Sequence, residues 1–157
     1  MKNDTHVERK SERELVVTRI FNGPARLVFE AWTKPELFKR WWVPKSAPMK
    51  MVTCEMDARV GGRYRLVFDF GGPKTMEVFG KYLEVVPGSR LVWTNEEAGE
   101  GGPVTTATFE EKGGQTLLTI HDLYPSKKAL DEAVASGATS GLPEQLEQLS
   151  ELLGSQA

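Results

Sequence analysis

The apolar residues of this chain follow two different periods, which divide it into segments. A β-branched stretch runs from Glu14 to Phe21 and is followed by Asn22-Gly23-Pro24, a combination that ends a strand and prepares the first turn of a helix. We therefore predict a first strand that begins at Glu14. Residues 1–13 contain almost nothing that could be buried, and we expect them to form a mobile arm.

Two short helices are predicted between that strand and Pro44. Apolar residues occupy positions 27, 28, 31 and 32, and then 37, 38, 41 and 42, so each group forms one stripe of a helix. Thr33 and Glu36 have the spacing of a capping box, and Pro35 is tolerated in a first turn. We therefore expect the second helix to be capped by Thr33 and to end at Pro44.

Beyond Pro48 the apolar period changes to two, and turn signals recur about every eight to twelve residues. This spacing predicts six further strands of an antiparallel meander. Gly113-Gly114 suits the tight turn of a hairpin between the last two strands. The predicted strands span residues 49–59, 63–70, 75–86, 90–96, 104–112 and 115–123.

The helical period returns after Pro125 and predicts a long helix near the C-terminus. Pro143 would cost about 3 kcal/mol or more inside a helix but is tolerated in a first turn. We therefore expect the helix to begin near Ser140 or Gly141, or to be kinked there. The apolar stripe of this helix consists of Leu142, Leu146, Leu149 and Leu153.

A meander of this length has one face to bury, and only the predicted helices can cover it. The pattern therefore predicts an α+β fold in which a curved antiparallel sheet wraps around the C-terminal helix. We predict one domain over residues 14–153, followed by a short tail at residues 154–157.

Composition and charge narrow the classes of function. Twenty Lys and Arg against 22 Asp and Glu give a net charge of −2 and argue against a nucleic-acid partner, which favours a basic surface. No apolar stretch is long enough for membrane insertion, and the N-terminus lacks the apolar segment of a signal peptide. A single cysteine, Cys54, is compatible with the cytoplasm, where we expect the protein to reside.

The sequence contains few of the residues that metal and nucleophile chemistry require. Its two histidines are His6 in the arm and His121 in the last strand, and neither belongs to a cluster with metal-ligand spacing. No nucleophile-elbow pattern surrounds Cys54 or any serine. We therefore expect no metal, no cofactor and no covalent catalysis.

Several motifs of this chain resemble the START-like (SRPBCC) superfamily. More narrowly, the chain is similar to the branch homologous to the ATPase activator of heat-shock protein 90. The resemblance covers roughly residues 14–153. It is carried by RIFNGP at 19–24, VFEAWTKPE at 28–36, WW at 41–42 before Pro44, D-x-R-x-G-G-x-Y at 57–64 and G-x-Y-x-E-V-x-P-x-x-R-L-V-W-T at 80–94.

The resemblance implies the helix-grip fold, with a cavity between the sheet, the C-terminal helix and the two short helices. It also implies three possible functions. The first is binding of a small, mostly apolar ligand, and the second is a cofactor-free enzyme of the cyclase or dehydratase type. The third is a chaperone-activating interaction in the stress response, which we rank last because 157 residues leave no room for that activator's additional chaperone-binding domain. The resemblance leaves open whether the protein forms a homodimer.

Aromatic side chains are the natural walls of an apolar pocket, although an aromatic stripe is more often core packing. A pocket-facing acid or base for the enzymatic alternative would be Glu84 or His121. Asp57 and Arg59 are predicted to form a structural ion pair at a strand end. The candidate ligand-binding residues are Phe38, Trp41, Trp42, Tyr64, Phe68, Phe70, Phe79, Trp93 and Leu142.

Overall fold

A computed structural model describes residues 5–43, 45–46, 49–96, 102–135 and 142–155. Eight antiparallel strands form one sheet in the order β1-β2-β8-β7-β6-β5-β4-β3, so that only β1 and β3 lie at edges. The strands are β1 (His6–Arg9), β2 (Glu14–Phe21), β3 (Lys50–Met56), β4 (Arg63–Asp69), β5 (Thr75–Val86), β6 (Arg90–Thr94), β7 (Val104–Lys112) and β8 (Gln115–Leu123).

Four helices accompany the sheet: α1 (Ala25–Thr33), α2 (Pro35–Phe38), α3 (Lys127–Ala135) and α4 (Leu142–Ser155). Leu146 and Leu149 of α4 are fully buried, and they belong to the same core cluster as Leu66 of β4 and Leu118 of β8. The sheet therefore wraps around the C-terminal helix, and the predicted α+β helix-grip fold is confirmed.

Period-two alternation explains the six strands from β3 to β8, which occur where the sequence predicts them, with small differences at four ends. The Gly113-Gly114 turn is confirmed as well, because both glycines have the positive φ that a tight hairpin requires. Asp57 and Arg59 form the predicted ion pair, with 2.8 Å between carboxylate oxygen and Nε on an exposed surface.

The N-terminal segment departs from the prediction of a mobile arm. Residues 6–9 form an edge strand in which Val7 pairs with Val17 of β2. All four side chains of β1 are exposed, so its sequence carries no alternation that could have marked it. A helix missing from the prediction, α3, buries Leu130 against Leu15 and Tyr124.

The predicted capping box does not form. Thr33 is the last residue of α1, and its hydroxyl donates back to the carbonyl of Phe29 at 3.0 Å. Pro35 occupies the first position of α2, which makes Lys34 the N-cap residue. The second helix is also shorter than predicted, because the backbone tightens into i→i−3 turns after Phe38.

The two consecutive tryptophans therefore lie in turns beyond α2 rather than on a helix. Trp41 is fully buried, and its indole nitrogen donates to the carbonyl of Ala31 at 2.9 Å. Its ring packs edge to face against Trp32 and Phe38, with centroids 4.9 and 5.3 Å away. Trp42 is only half-buried and stacks on Phe38 at 4.8 Å.

Two glutamines connect α4 to this tryptophan segment, which we define as residues 41–43. Gln148 is buried, and its amide nitrogen donates to the carbonyls of Trp41 at 2.9 Å and Val43 at 2.8 Å. Its amide oxygen accepts from the backbone of Lys45 at 2.8 Å. Gln145 adds a bond to the carbonyl of Trp42. The leucine stripe therefore forms the inner face of α4, and the two glutamines hold the tryptophan segment beside this helix.

The α4 helix begins at Leu142, close to the predicted start near Ser140 or Gly141. Pro143 therefore lies in the first turn, where proline is tolerated.

A buried arginine provides a second link between α4 and the sheet. Arg19 points inward from β2 with its side chain 4% exposed, and its guanidinium lies 2.8 Å from the carboxylate of Glu147.

The first prediction concerns the two tryptophans. Trp41→Ala should lower the free energy of unfolding by about 3 to 5 kcal/mol, the usual range for a large buried aromatic side chain. Trp42→Ala should cost less than half as much, because its side chain is only half-buried. Urea midpoints of both variants check this order. Equal losses below about 1 kcal/mol, typical of exposed positions, would contradict the packing described here.

The second prediction concerns the link between α4 and the tryptophan segment. Gln148→Leu keeps the size of the side chain but leaves buried carbonyls unpaired, each at about 1–3 kcal/mol. We expect a total loss of about 2 to 4 kcal/mol in urea unfolding. Gln115→Leu, at an exposed hairpin position, is the matched control. Equal losses in the two variants would show that the Gln148 bonds do not hold this segment.

Candidate functional site

A cavity of about 530 Å³ lies between the concave face of the sheet, α2, the tryptophan segment and α4. Its volume is within the range of about 300–1,000 Å³ that is usual for small-molecule sites. Most of its wall is apolar. The lining residues are Leu15, Val17, Trp32, Phe38, Trp42, Met49, Met56, Tyr64, Leu66, Phe68, Met76, Val78, Tyr82, Leu91, Trp93, Asn95, Pro103, Thr105, Ile120, Asp122, Tyr124 and Gln145.

Five of the nine candidate ligand-binding residues line this cavity. Phe38 and Trp42 cover it from outside the sheet, whereas Tyr64, Phe68 and Trp93 face it from strands β4 and β6. Tyr64 and Phe68 share the inward face of β4 because side chains two residues apart point the same way. The structure thus brings these five aromatic rings to one space.

Three other candidates do not reach the cavity. Trp41 lies behind the wall, where its ring is enclosed by other aromatic side chains. Phe70 has the inward parity of β4 but follows the end of that strand, and it is 39% exposed. Phe79 pairs with the outward-facing Arg65, on the opposite face from Tyr82. The side chain of Leu142 is outside the described residues.

The two candidate acid-base residues also lie away from the cavity. Glu84 pairs with Arg90 at 3.1 Å on the protein surface, with its side chain 46% exposed. His121 is on the outward face of β8, where Nε2 lies 2.6 Å from the carboxylate of Glu14 on β2. That hydrogen bond lowers the pKa of Glu14. Neither Glu84 nor His121 is therefore placed to act on a molecule in the cavity.

Four polar side chains meet at one end of the cavity and form a hydrogen-bonded chain, which we call the polar end. Asn95 donates to the hydroxyl of Thr105 at 2.9 Å and to the carbonyl of Pro103 at 2.8 Å. The hydroxyl of Thr105 in turn donates to Oδ1 of Asp122. Tyr64 donates to the carbonyl of Thr94 at 2.7 Å, next to Asn95 in sequence.

The register of the sheet explains this meeting point. Asp122 of β8 lies directly opposite Thr105 of β7, and Thr105 lies opposite Trp93 of β6. Gly80 of β5 is paired with Tyr64, and a side chain at Gly80 would collide with the carbonyl of Thr94 at 2.0 Å and with the Tyr64 ring at 2.9 Å. The absence of a Cβ at this position therefore lets the Tyr64 ring cross β5 and reach the Thr94 carbonyl.

Burial makes the polar end a poor environment for charge. It raises the pKa of Asp122, and this effect exceeds the opposing hydrogen bond from Thr105 and the attraction of His121. Burial also raises the pKa of Tyr82, and it raises the pKa of Tyr124 to about 12. The carboxyl group of Asp122 and the phenols of Tyr82 and Tyr124 in the cavity wall are thus held towards their neutral, hydrogen-donating forms.

Sequence reasoning missed three members of the polar end, Asn95, Thr105 and Asp122. A signal existed for two of them. Asp122 has the same parity as the buried Leu118 and Ile120, and Thr105 has the parity of the buried Phe109. A carboxyl group on the inward face of a strand is uncommon unless it is paired or functional. The position of Asn95, beyond the end of β6, depends on the loop that follows and leaves no such pattern.

Two kinds of feature are absent from the described residues. No group of three or more His, Cys, Asp or Glu side chains lies close enough together there to hold a metal ion. Within the same residues, no helix has the length and apolar character needed to cross a membrane.

Comparison with known proteins places this architecture among proteins of similar fold. Residues 22–154 match the family described as Activator of Hsp90 ATPase homolog 1-like protein. A crystal structure from Rhodobacter sphaeroides has a TM-score of 0.89 at 21% identity, covering 98% of this chain and 100% of that one. A crystal structure of a protein from Nitrosomonas europaea has a TM-score of 0.82 at 25% identity, covering 94% of this chain and 97% of that one. No curated protein matches the chain.

A third structural relative carries the family description in its own name. The AHSA1-like protein from Aeromonas hydrophila, solved by NMR, has a TM-score of 0.70 at 16% identity. The alignment covers 90% of this chain and 93% of that one. At these low identities the high TM-scores show a shared fold alone.

The third prediction follows from the burial of Asp122. Because the folded state holds the proton more tightly than the unfolded state, the stability it contributes is complete below the unfolded pKa of about 3.9. That stability is lost as pH rises through the raised pKa of the folded state. Asp122→Asn should therefore match the wild type near pH 4 and become progressively more stable than it at higher pH.

Urea unfolding of both proteins across this pH range provides the measurement. Asp57→Asn is the matched control, because that carboxylate lies on the surface beside Arg59. It should gain no such advantage as pH rises. A constant difference between Asp122→Asn and the wild type would show that the pKa of Asp122 is the same in the folded and unfolded states.

Proposed function

Because the chain belongs to the family of Activator of Hsp90 ATPase homolog 1-like proteins and contains a preformed cavity, we propose that it binds a small, mostly apolar molecule there. The carrying observation is the cavity itself, about 530 Å³ in volume and walled mostly by aromatic and aliphatic side chains. Sites of this composition bind ligands through apolar contact, and a few polar groups fix the orientation.

The energetics of packing support this proposal. Protein interiors are normally close-packed, and residual cavities cost about 24 cal/mol per Å³. The apolar wall of this cavity, which is partly open to solvent, therefore lacks the packing partners that a bound apolar molecule would supply. Water relieves little of this cost along apolar walls, where it finds few partners, whereas an apolar ligand is stabilised there.

The shape of the site also favours a preformed pocket over one that opens on binding. Its aromatic cover is fixed from both sides, since Trp42 stacks on Phe38 and its carbonyl accepts a hydrogen bond from Gln145 at 2.6 Å. The wall opposite belongs to the sheet. Ligand entry therefore costs little conformational entropy, which raises affinity.

The fourth prediction tests binding with a cavity-filling variant. Val78 is half-buried in the cavity wall, whereas Val86 lies on the same strand with its side chain directed to solvent. The neutral fluorescent probe N-phenyl-1-naphthylamine should bind the wild type and Val86→Trp alike. Its affinity for Val78→Trp should fall about tenfold, equivalent to about 1.4 kcal/mol of steric conflict.

Native mass spectrometry of protein purified from cells complements the probe, because a retained small molecule would appear as added mass. Failure of the wild type to bind the probe or to retain any small molecule would remove the proposal. Equal probe affinities for the two tryptophan variants would place binding outside this cavity.

A cofactor-free enzyme of the cyclase or dehydratase type is the second candidate, and one observation favours it. Such chemistry needs an acid or base in the cavity. Asp122 supplies one, whereas Glu84 and His121 do not line the cavity. Incubation of candidate ligands with the wild type and with Asp122→Asn, followed by mass analysis of the ligand, separates carrier from enzyme. Only an enzyme would return altered ligand, and only from the wild type.

A further inference from the structure

One oxygen of Asp122 is unused within the described structure. Oδ1 accepts the hydroxyl proton of Thr105, and Thr105 is held in turn by Asn95. Oδ2 has no hydrogen-bond partner among the described residues, and Asp122 belongs to the cavity wall. A polar atom in this position is available to a bound molecule.

We propose that this oxygen of Asp122 is the recognition point for the ligand, and that the cavity selects an aromatic molecule with a neutral carbonyl group over the same molecule with a carboxylate. The inference rests on the ligand-binding function proposed above and specifies the chemical class of its ligand. It assigns to the polar end the role of orienting and discriminating, while the apolar walls supply most of the affinity.

The hydrogen-bond directions set what the ligand must offer. Because Oδ1 is occupied as an acceptor, the proton of a neutral Asp122 resides on Oδ2, and that hydroxyl donates into the cavity. Burial raises the pKa of Asp122 and so favours this neutral form. A carbonyl oxygen of the ligand accepts such a hydrogen bond, whereas an alkyl group at the same place would leave the donor unpaired.

Charge excludes the carboxylate analogue. None of the described lining residues is lysine, arginine or histidine. A ligand carboxylate would therefore be desolvated next to Asp122 with no cation to compensate it, which is strongly unfavourable. The aromatic preference follows from the walls, where Trp32, Phe38, Trp42 and Trp93 present ring faces and edges to the space.

The same geometry makes recognition dependent on pH. Near Asp122 lie Tyr124, which follows the end of β8, and, on the opposite face of that strand, His121 paired with Glu14 of β2. Strand β7 contributes the uncharged Thr105, and the same cavity wall includes Tyr64 of β4 and the uncharged Gln145 of α4. Asp122 is thus the acid in this wall that ionises at a lower pH than the tyrosine phenols. Once it ionises, it loses its donor and repels the carbonyl oxygen of the ligand.

Displacement of N-phenyl-1-naphthylamine by three molecules of similar shape tests this inference. The series is 2-ethylnaphthalene, 2-acetylnaphthalene and 2-naphthoate, measured between pH 5 and pH 9. At pH 5 the wild type should bind 2-acetylnaphthalene at least fivefold more tightly than 2-ethylnaphthalene and 2-naphthoate. That preference for the acetyl compound over the ethyl compound should decline as pH rises.

Two substitutions at Asp122 give the inference its sharpest test. Asp122→Asn keeps an N–H donor, so it should retain the preference for the acetyl compound but lose its pH dependence. Asp122→Leu should bind the ethyl and acetyl compounds equally. Asp57→Asn, on the surface, should behave as the wild type does. Retained probe binding in each variant shows that its cavity is folded.

The possible failures are distinguishable. Equal binding of the ethyl and acetyl compounds by the wild type, a preference that survives in Asp122→Leu, or tight binding of 2-naphthoate would overturn this inference alone, because binding itself would persist. Absence of binding by the probe and by all three compounds would overturn the proposed function as well.

Discussion

The hydrogen bonds of Gln148 are the interaction on which the cavity depends. A single buried amide on α4 holds the carbonyls of Trp41 and Val43 and the backbone nitrogen of Lys45. This fixes the chain after α2 at a set distance from the C-terminal helix. The fully buried Trp41 then serves as a support for Trp42, which closes the space above the sheet. Without that support, apolar residues on both sides would be expected to collapse together, since close packing is the more stable arrangement.

The polar end follows a second constraint, the register of the sheet. Antiparallel pairing places inward-facing residues of adjacent strands opposite each other, so Thr105 and Asp122 meet whatever their chemistry. Two polar groups on an inward face must then satisfy each other, and their burial keeps Asp122 inclined towards its neutral form. One end of an otherwise apolar cavity thereby acquires a hydrogen-bonding carboxyl group whose pKa is raised by burial.

The sequence was sufficient for seven of the eight strands and for a sheet wrapped around the C-terminal helix, but not for the site. Alternation and glycine turns predict β3 to β8, because each side chain reports which face it occupies. β1 escaped prediction because its side chains are all exposed. Glu84 and His121 attracted interest as titratable groups, yet both face outward, and Asp122 lies one position after His121. Which of two adjacent residues faces a cavity follows from parity, but the existence of that cavity follows from packing between elements far apart in sequence.

Methyl NMR of the methionines tests directly whether a ligand occupies this cavity. Met49, Met56 and Met76 line it, whereas Met51, on the edge strand β3, does not. With methionine methyl groups labelled with carbon-13 and assigned by Met→Leu substitutions, titration with 2-ethylnaphthalene should shift the resonances of Met49, Met56 and Met76. The Met51 resonance should stay in place as an internal control. Binding that leaves the three lining methyl groups unchanged, or that shifts Met51 the most, would contradict the account.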